Sequence, residues 1–313
     1  MSIRARYRRD CPTLRRLSAS LLLTLFMVTV SGCEDISDSA PEPDASQPAR
    51  RIITLAPHLT ELVFAAGAGD RLVGVVEYSD YPPEAGALPR IGDAFRFDYE
   101  AITALRPDLL LAWQSGTPAA AIDRLGDLGY RVVALEPGRL NTIAEHLRLI
   151  GQLADSLPVA TIAAEKYEQE LESLRDRYRD ATKMAVFYQI SWQPLFTLNK
   201  RHVIGEAIEI CGGRNVFADL TELSPSISLE AVLDRSPEVI IASQFDSRKD
   251  QGATELSGWS KWTNVPAVRD GNLFLLGADQ MARPSTRILD GIRVLCQNLD
   301  TARQKAMGGD QPT

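Results

Sequence analysis

"YEAITALRPDLLLAW" (Tyr99 to Trp113) and "LEAVLDRSPEVIIAS" (Leu229 to Ser243) spell the same order of residue classes 130 positions apart. In each copy a capping residue, Asp98 or Ser228, precedes a short helical stretch with a glutamate two residues on, Glu100 or Glu230. A proline, Pro107 or Pro237, ends the helix, and an apolar run follows that reads as a buried strand. A second echo pairs "ELVFAAGAGDRLVG" (Glu61 to Gly74) with "AIEICGGRNVFAD" (Ala207 to Asp219), where the glycines stop a helix. The chain therefore predicts two lobes built from one helix-then-strand plan.

Around these echoes, short Val/Ile/Leu-rich runs alternate with amphipathic stretches. "RIITLA", "RLVGVV", "DLLLAW" and "RVVALE" read as buried parallel strands in the first half, with helices at Leu59–Ala66, Asp98–Leu105, Pro118–Leu128 and Thr142–Ala154. "MAVFYQI", "LFTL", "EVIIAS" and "NLFLLG" read as strands in the second half, with helices at Val203–Cys211 and Ser285–Ala302. Between the halves, Pro158 to Lys183 is highly charged, free of Gly and of any later Pro, and carries Ile162, Tyr167, Leu171, Leu174 and Tyr178 at helical spacing. The fold class expected is α/β: two Rossmann-like lobes with central parallel sheets, residues 51–155 and 184–305, joined by one long rigid helix over 156–183, with a tail at 306–313. A ligand belongs in the cleft between such lobes.

The N-terminus is expected to lie outside that fold. Six arginines, the apolar run Leu21 to Val30 and the small residues of "VSGC" follow one another over residues 1–33, the order of an export signal. Residues 1–32 read as a lipoprotein signal with Cys33 as lipid anchor, a plain signal peptide being the alternative. Residues 33–50, acidic and rich in Ser, Pro and Ala, read as a flexible linker. Without the leader's five net positive charges the formal −7 becomes −12, which argues against nucleic acid as a partner. Of four cysteines, Cys11 leaves with the signal and Cys33 takes the lipid. Cys211 and Cys296 remain in an oxidising compartment and are expected to pair, the alternative being two buried free thiols.

"RIITLAPHLTELVFAAGAGDRLVGVVEYSDYPPEA", "FDYEAITALRPDLLLAW", "EICGGRNVFADL" and "RPSTRILDGI" together resemble the class III periplasmic binding proteins of metal-chelate import, and among them the cobalamin-binding group. The resemblance spans nearly all of residues 51–302. It implies a monomeric receptor that captures cobalamin or a related chelate, with no further cofactor and no metal ion of its own. Delivery would be to a dimeric ABC permease in the inner membrane, with Glu100 and Glu230 meeting one basic pocket on each half. Tyr78, Trp113 and Phe196 match ligand-contacting positions of that group, Phe95 stands where a tryptophan is expected, and Ser224 stands where a second one is missing. Trp192 is a neighbouring aromatic that could replace that wall, and "ADQMARPSTR" nominates Asp279, Gln280, Met281 and Arg283.

His58, on the first strand-to-helix loop, is a candidate contact as well. A bare-metal receptor needs about four ligands, and only His58, His146 and His202 exist. A ferric siderophore or haem receptor stays open as the alternative. An enzyme is disfavoured, because there is no G-x-S-x-G elbow, P-loop or HExxH, and a purely structural lipoprotein remains a distant reading.

Overall fold

The computed structural model describes residues 47–244 and 256–308. Cys33 and the signal segment 1–32 lie outside the described residues. In the first half the elements are β1 (Ile52–Thr54), α1 (Pro57–Ala65), β2 (Leu72–Val75), α2 (Tyr99–Leu105), β3 (Leu109–Trp113), α3 (Ala119–Asp127), β4 (Val132–Leu135) and α4 (Thr142–Leu153). Helix α5 (Leu157–Tyr178) leads into β5 (Met184–Gln189), α6 (Val203–Ile210), β6 (Gly213–Asn215), α7 (Leu229–Arg235), β7 (Val239–Gln244), α8 (Pro266–Arg269), β8 (Leu273–Gly277), α9 (Ala278–Met281) and α10 (Ile288–Gly308).

The described strands form two sheets with the same topology, β2-β1-β3-β4 and β6-β5-β7-β8, every pair parallel. The repeat extends to single dihedrals. Asp98 and Ser228 cap α2 and α7 by accepting from the N–H of Ala101 (2.9 Å) and Ala231 (3.2 Å). Both helices stop on a left-handed non-glycine residue, Arg106 (φ 44°) and Ser236 (φ 45°). Asp108 then receives the N–H groups of Arg50 and Arg51, and Glu238 that of Ala185, so an acid after each proline holds the start of the neighbouring strand. Gly67 (φ 76°) and Gly212 (φ 72°) end α1 and α6 in the conformation that favours glycine.

Strand alternation divides the core into layers. Ile52, Leu109, Leu111, Val186, Tyr188, Val239 and Ile241 share one apolar core with Ala160, Ala164, Tyr167, Leu171 and Leu174 of α5, which therefore runs unbroken through both lobes. The opposite faces, Ile53 and Leu110 in one sheet and Phe187 and Ile240 in the other, pack beneath α2/α3 and α7/α8 respectively. Burial on both faces explains why these strands read as continuous apolar runs. A stiff helix sharing its core with both lobes restrains hinge motion.

Three expectations need correction. "LFTL" is not a strand: Phe196 makes only isolated bridges to Ser191 and Ser226. Its place in the sheet is taken by β6, whose sequence Gly-Arg-Asn has no apolar residue to reveal it. The fold also begins before Arg51, since Ala49 is buried and donates its N–H to Leu153 O at 2.7 Å. At the other end α10 continues past Ala302 into the expected tail.

Candidate functional site

Every candidate ligand residue lies at or after the carboxyl end of a parallel strand, where sheets of this type present ligands. His58 opens α1 after β1, Tyr78 and Phe95 lie on the β2–α2 connection, and Trp113 ends β3. Trp192 and Phe196 follow β5, while Asp279, Gln280 and Arg283 follow β8.

The β2–α2 connection is built to show its aromatics. Ser79 N–H donates to Val76 O at 3.3 Å, closing a turn in which Tyr78 adopts φ 63°. Buried Ser79 is tied to the sheet through Thr60, whose hydroxyl lies 2.6 Å from that of Thr54. The strand's far side is held by Glu77 N–H to Gly92 O at 2.8 Å. Gly92 has φ 114°, and a Cβ there would sit 2.1 Å from Arg96 O, so only glycine permits the following turn. Asp93 Oδ1 accepts from the N–H groups of Phe95 (2.7 Å) and Arg96 (2.8 Å), leaving the Phe95 ring at the tip. Tyr78 and Phe95 are each 76% exposed.

Trp113 and His58 meet edge to face with ring centroids 5.3 Å apart. His58 is buried, and burial is the largest reason its pKa falls to about 3. His58 Nε2 and Trp113 Nε1 are both buried without a hydrogen-bond partner among the described residues. The unfolded chain protonates this histidine near its ordinary pKa of 6.5, whereas the folded ring stays neutral down to about 3. Stability is therefore lost as pH falls through that window, about 2 kcal/mol of it by pH 5. Urea unfolding at pH 7 and pH 5 checks this: His58→Phe keeps a ring against Trp113 and should shrink the acid loss by about 2 kcal/mol.

Across the interface, Arg283 is almost enclosed and carries three carboxylates: Asp80 at 2.5 Å, Asp279 at 3.0 Å and Glu61 at 3.3 Å. Burial opposes the arginine's charge, and the three acids outweigh it, raising its pKa. Burial likewise opposes ionisation of Asp80, but the Arg283 hydrogen bond holds its carboxyl below the usual range. Arg287 adds a contact to Glu61 at 3.1 Å and lies 3.9 Å over the Tyr81 ring. This cluster joins the carboxyl ends of both sheets, and it brings Asp279 and Arg283 next to the loop of Tyr78.

Other expected residues are placed differently. Met281 is not available to a ligand: it is fully buried in the shared core, because the half turn of α9 between them points it away from Asp279. Trp192 is half-buried and packs edge to face on buried Trp259 at 5.2 Å. Phe196 is half-buried and bridges to Ser226, beside exposed Ser224. Among the histidines, His202 caps α6 through Nδ1, and burial lowers its pKa to about 4. Among the described residues no group of three or more His, Cys, Asp or Glu could hold a metal ion. Glu100 and Glu230 are both exposed, each at the second position of its helix. Its own backbone N–H and the Ser228 hydroxyl hold Glu230 below the usual carboxylate range.

Glu61, Asp80, Ser285 and Arg287 were not expected in this cluster. The visible signal was Glu61 itself, which stands six residues before Gly67 as Glu206 stands six before Gly212.

Known proteins resemble this chain in sequence and fold. A vitamin B12-binding protein of Vibrio parahaemolyticus serotype O3:K6 is 36% identical over 262 residues, covering 83% of this chain and 93% of the relative. The crystal structure of the periplasmic vitamin B12 binding protein BtuF of Vibrio cholerae matches with a TM-score of 0.75 at 36% identity, covering 82% of this chain and 98% of that one. The apo form of the periplasmic heme-binding protein RhuT from Roseiflexus sp. RS-1 matches with a TM-score of 0.71 and covers 81% of this chain and 99% of that one; at 22% identity it shares the fold alone. Such homologues are periplasmic substrate-binding proteins and not enzymes. The profile of the periplasmic binding protein family matches residues 52–280, and with two parallel sheets sharing one bridging helix, the chain belongs to that family.

Proposed function

We propose that the chain captures cobalamin in the cleft between its lobes and delivers it to a dimeric ABC permease, with Cys33 as a lipid anchor on the membrane. The observation that carries the reading is Tyr78. A bulky residue at φ 63° is costly, and so is a large ring left 76% exposed. Both costs are intelligible if the ring is a ready-made face for a broad, flat guest. Phe95 extends that face and Trp113 forms the floor. Relatives named for vitamin B12 binding support the same ligand.

Electrostatics favour a corrin over an anionic chelate. Arg283 is the cation an anionic guest would seek, and it is already shared by three carboxylates, two of which are exposed. A haem propionate or catecholate would meet an acidic rim. The neutral amide arms of a corrin can donate to Asp80 and Asp279 without that penalty.

Tryptophan fluorescence titrated with cyanocobalamin, haemin and a ferric siderophore tests the assignment, alongside the absorbance spectrum of the protein as purified. Cyanocobalamin alone should saturate the signal, and saturation by haemin or the siderophore instead would sink it. Trp113→Ala should weaken cyanocobalamin binding by about 1 to 3 kcal/mol through lost stacking area.

A further inference from the structure

The second internal echo contains a pair of residues that the aromatic site does not use. Glu61 on α1 and Glu206 on α6 stand at the same offset from the glycine that ends each helix. Glu61 is buried and accepts from Arg283, Arg287 and the Ser285 hydroxyl, all of the second lobe. Glu206 accepts from Leu140 N–H at 2.9 Å, in the first lobe, and from Arg175 of α5 at 3.0 Å, with Arg139 at 3.7 Å. Each glutamate thus leaves the helix after the first strand of its own lobe and ends on the segment after the fourth strand of the other. The exchange has the two-fold pattern of the lobes themselves, and the ends of the central strands β3 and β7 lie between the two crossings in sheet order.

We propose that Glu61 and Glu206 are paired clasps flanking the cleft, positioning residues that hold the lobes at one spacing and so fix the distance between its ligand-facing walls. A buried carboxylate is tolerated only while its partners stay in place. Parting the lobes would take from Glu61 the three donors that offset its burial and leave Arg283 and Arg287 beside each other without it. Burial already pushes the Glu61 carboxyl up, against the opposing pull of Ser285, Arg287 and Arg283. The Glu206 clasp is wetter, with 15% of its side chain exposed against 2% for Glu61, so the Glu61 end is the stiffer one. Through Arg283 the Glu61 clasp also ties Asp80 to Asp279, which couples it to the Tyr78 loop.

The link to ligand release rests on the cobalamin reading, whereas the spacing itself does not. The test therefore begins without ligand, on the full chain with Cys11→Ser and Cys33→Ser and spin labels at the exposed positions Asp127→Cys and Glu222→Cys. Double electron–electron resonance should show a lengthened or broadened interlobe distance in Glu61→Gln, a smaller change in Glu206→Gln and the largest in the pair. An unchanged distribution in the pair overturns the clasps. Arg287→Met, which removes one arm and leaves Glu61 with Arg283 and Ser285, supplies the same reading if Glu61→Gln does not fold. Cyanocobalamin should then leave Glu61→Gln about tenfold faster than the parent, the change falling on dissociation. Altered spacing with unaltered release overturns the positioning role. Failure of the parent to bind cyanocobalamin would remove the ligand assignment while the distance measurement still decides the clasps.

Discussion

Reversing both proposed docking charges, Glu100→Arg with Glu230→Arg, is expected to abolish cobalamin uptake while leaving cyanocobalamin capture unchanged. The two glutamates occupy equivalent positions on α2 and α7, one per lobe, and both are exposed. Their helices have the same length, a side-chain cap accepting from the N–H three residues on and the same left-handed stop, so the two carboxylates are presented in matching local frames. A helix-start acid that only complemented the dipole would need none of this duplication. For a permease with two equivalent basic pockets, a matched pair is the complementary surface, and reversal replaces attraction by like-charge repulsion at both ends. Capture should survive because neither residue touches the Tyr78 loop or the Arg283 cluster in the contacts described above. Uptake of labelled cyanocobalamin in cells lacking their own receptor, paired with a fluorescence titration of the purified variant, separates the two effects. Full uptake by the doubly reversed protein would remove the docking role, and lost capture would show that the substitutions had damaged the fold.

The duplicated helix-then-strand phrase made most of the fold legible, because caps, stops and apolar alternation are local properties that act the same way in both lobes. β6 escaped because Gly213, Arg214 and Asn215 have no apolar pattern, unlike β2, the corresponding edge strand of the first lobe. "LFTL" misled for the opposite reason: it is apolar but lies between Pro194 and Pro225, whose segment it meets through Thr197 N–H to Pro225 O. Resemblance nominated single residues of the candidate site, but none of the contacts that join them. It nominated Asp279 to Arg283 as a block, whereas the two-residue step from Asp279 to Met281 is about half a helical turn and puts Met281 on the opposite, buried side. The buried Glu61 looked like any helix acid, since a carboxylate reveals its partner only when residues more than 200 positions away arrive beside it.

The disulfide supplies the second large effect. Cys211, at the end of α6, is bonded to Cys296 in α10, 85 positions further along, and both side chains are buried in the shared core. In the chain-entropy argument, a cross-link over that separation removes enough unfolded-state freedom to contribute about 4 to 5 kcal/mol. That is a large fraction of the stability of an ordinary domain. Cys211→Ala with Cys296→Ala should therefore lower the unfolding free energy by about 4 kcal/mol or somewhat more, the excess coming from the space left by two sulfur atoms. Dithiothreitol on the parent chain removes the cross-link without removing the sulfurs, so it isolates the entropic part and should shift the urea midpoint nearly as far. Both partners belong to the second lobe and neither joins the Glu61 or Glu206 clasp, so cyanocobalamin affinity of the folded variant should stay within about twofold of the parent. A midpoint insensitive to both treatments would mean that the thiols are free in the folded protein, and the packing of α6 on α10 would then have to hold that part of the lobe without a covalent tie.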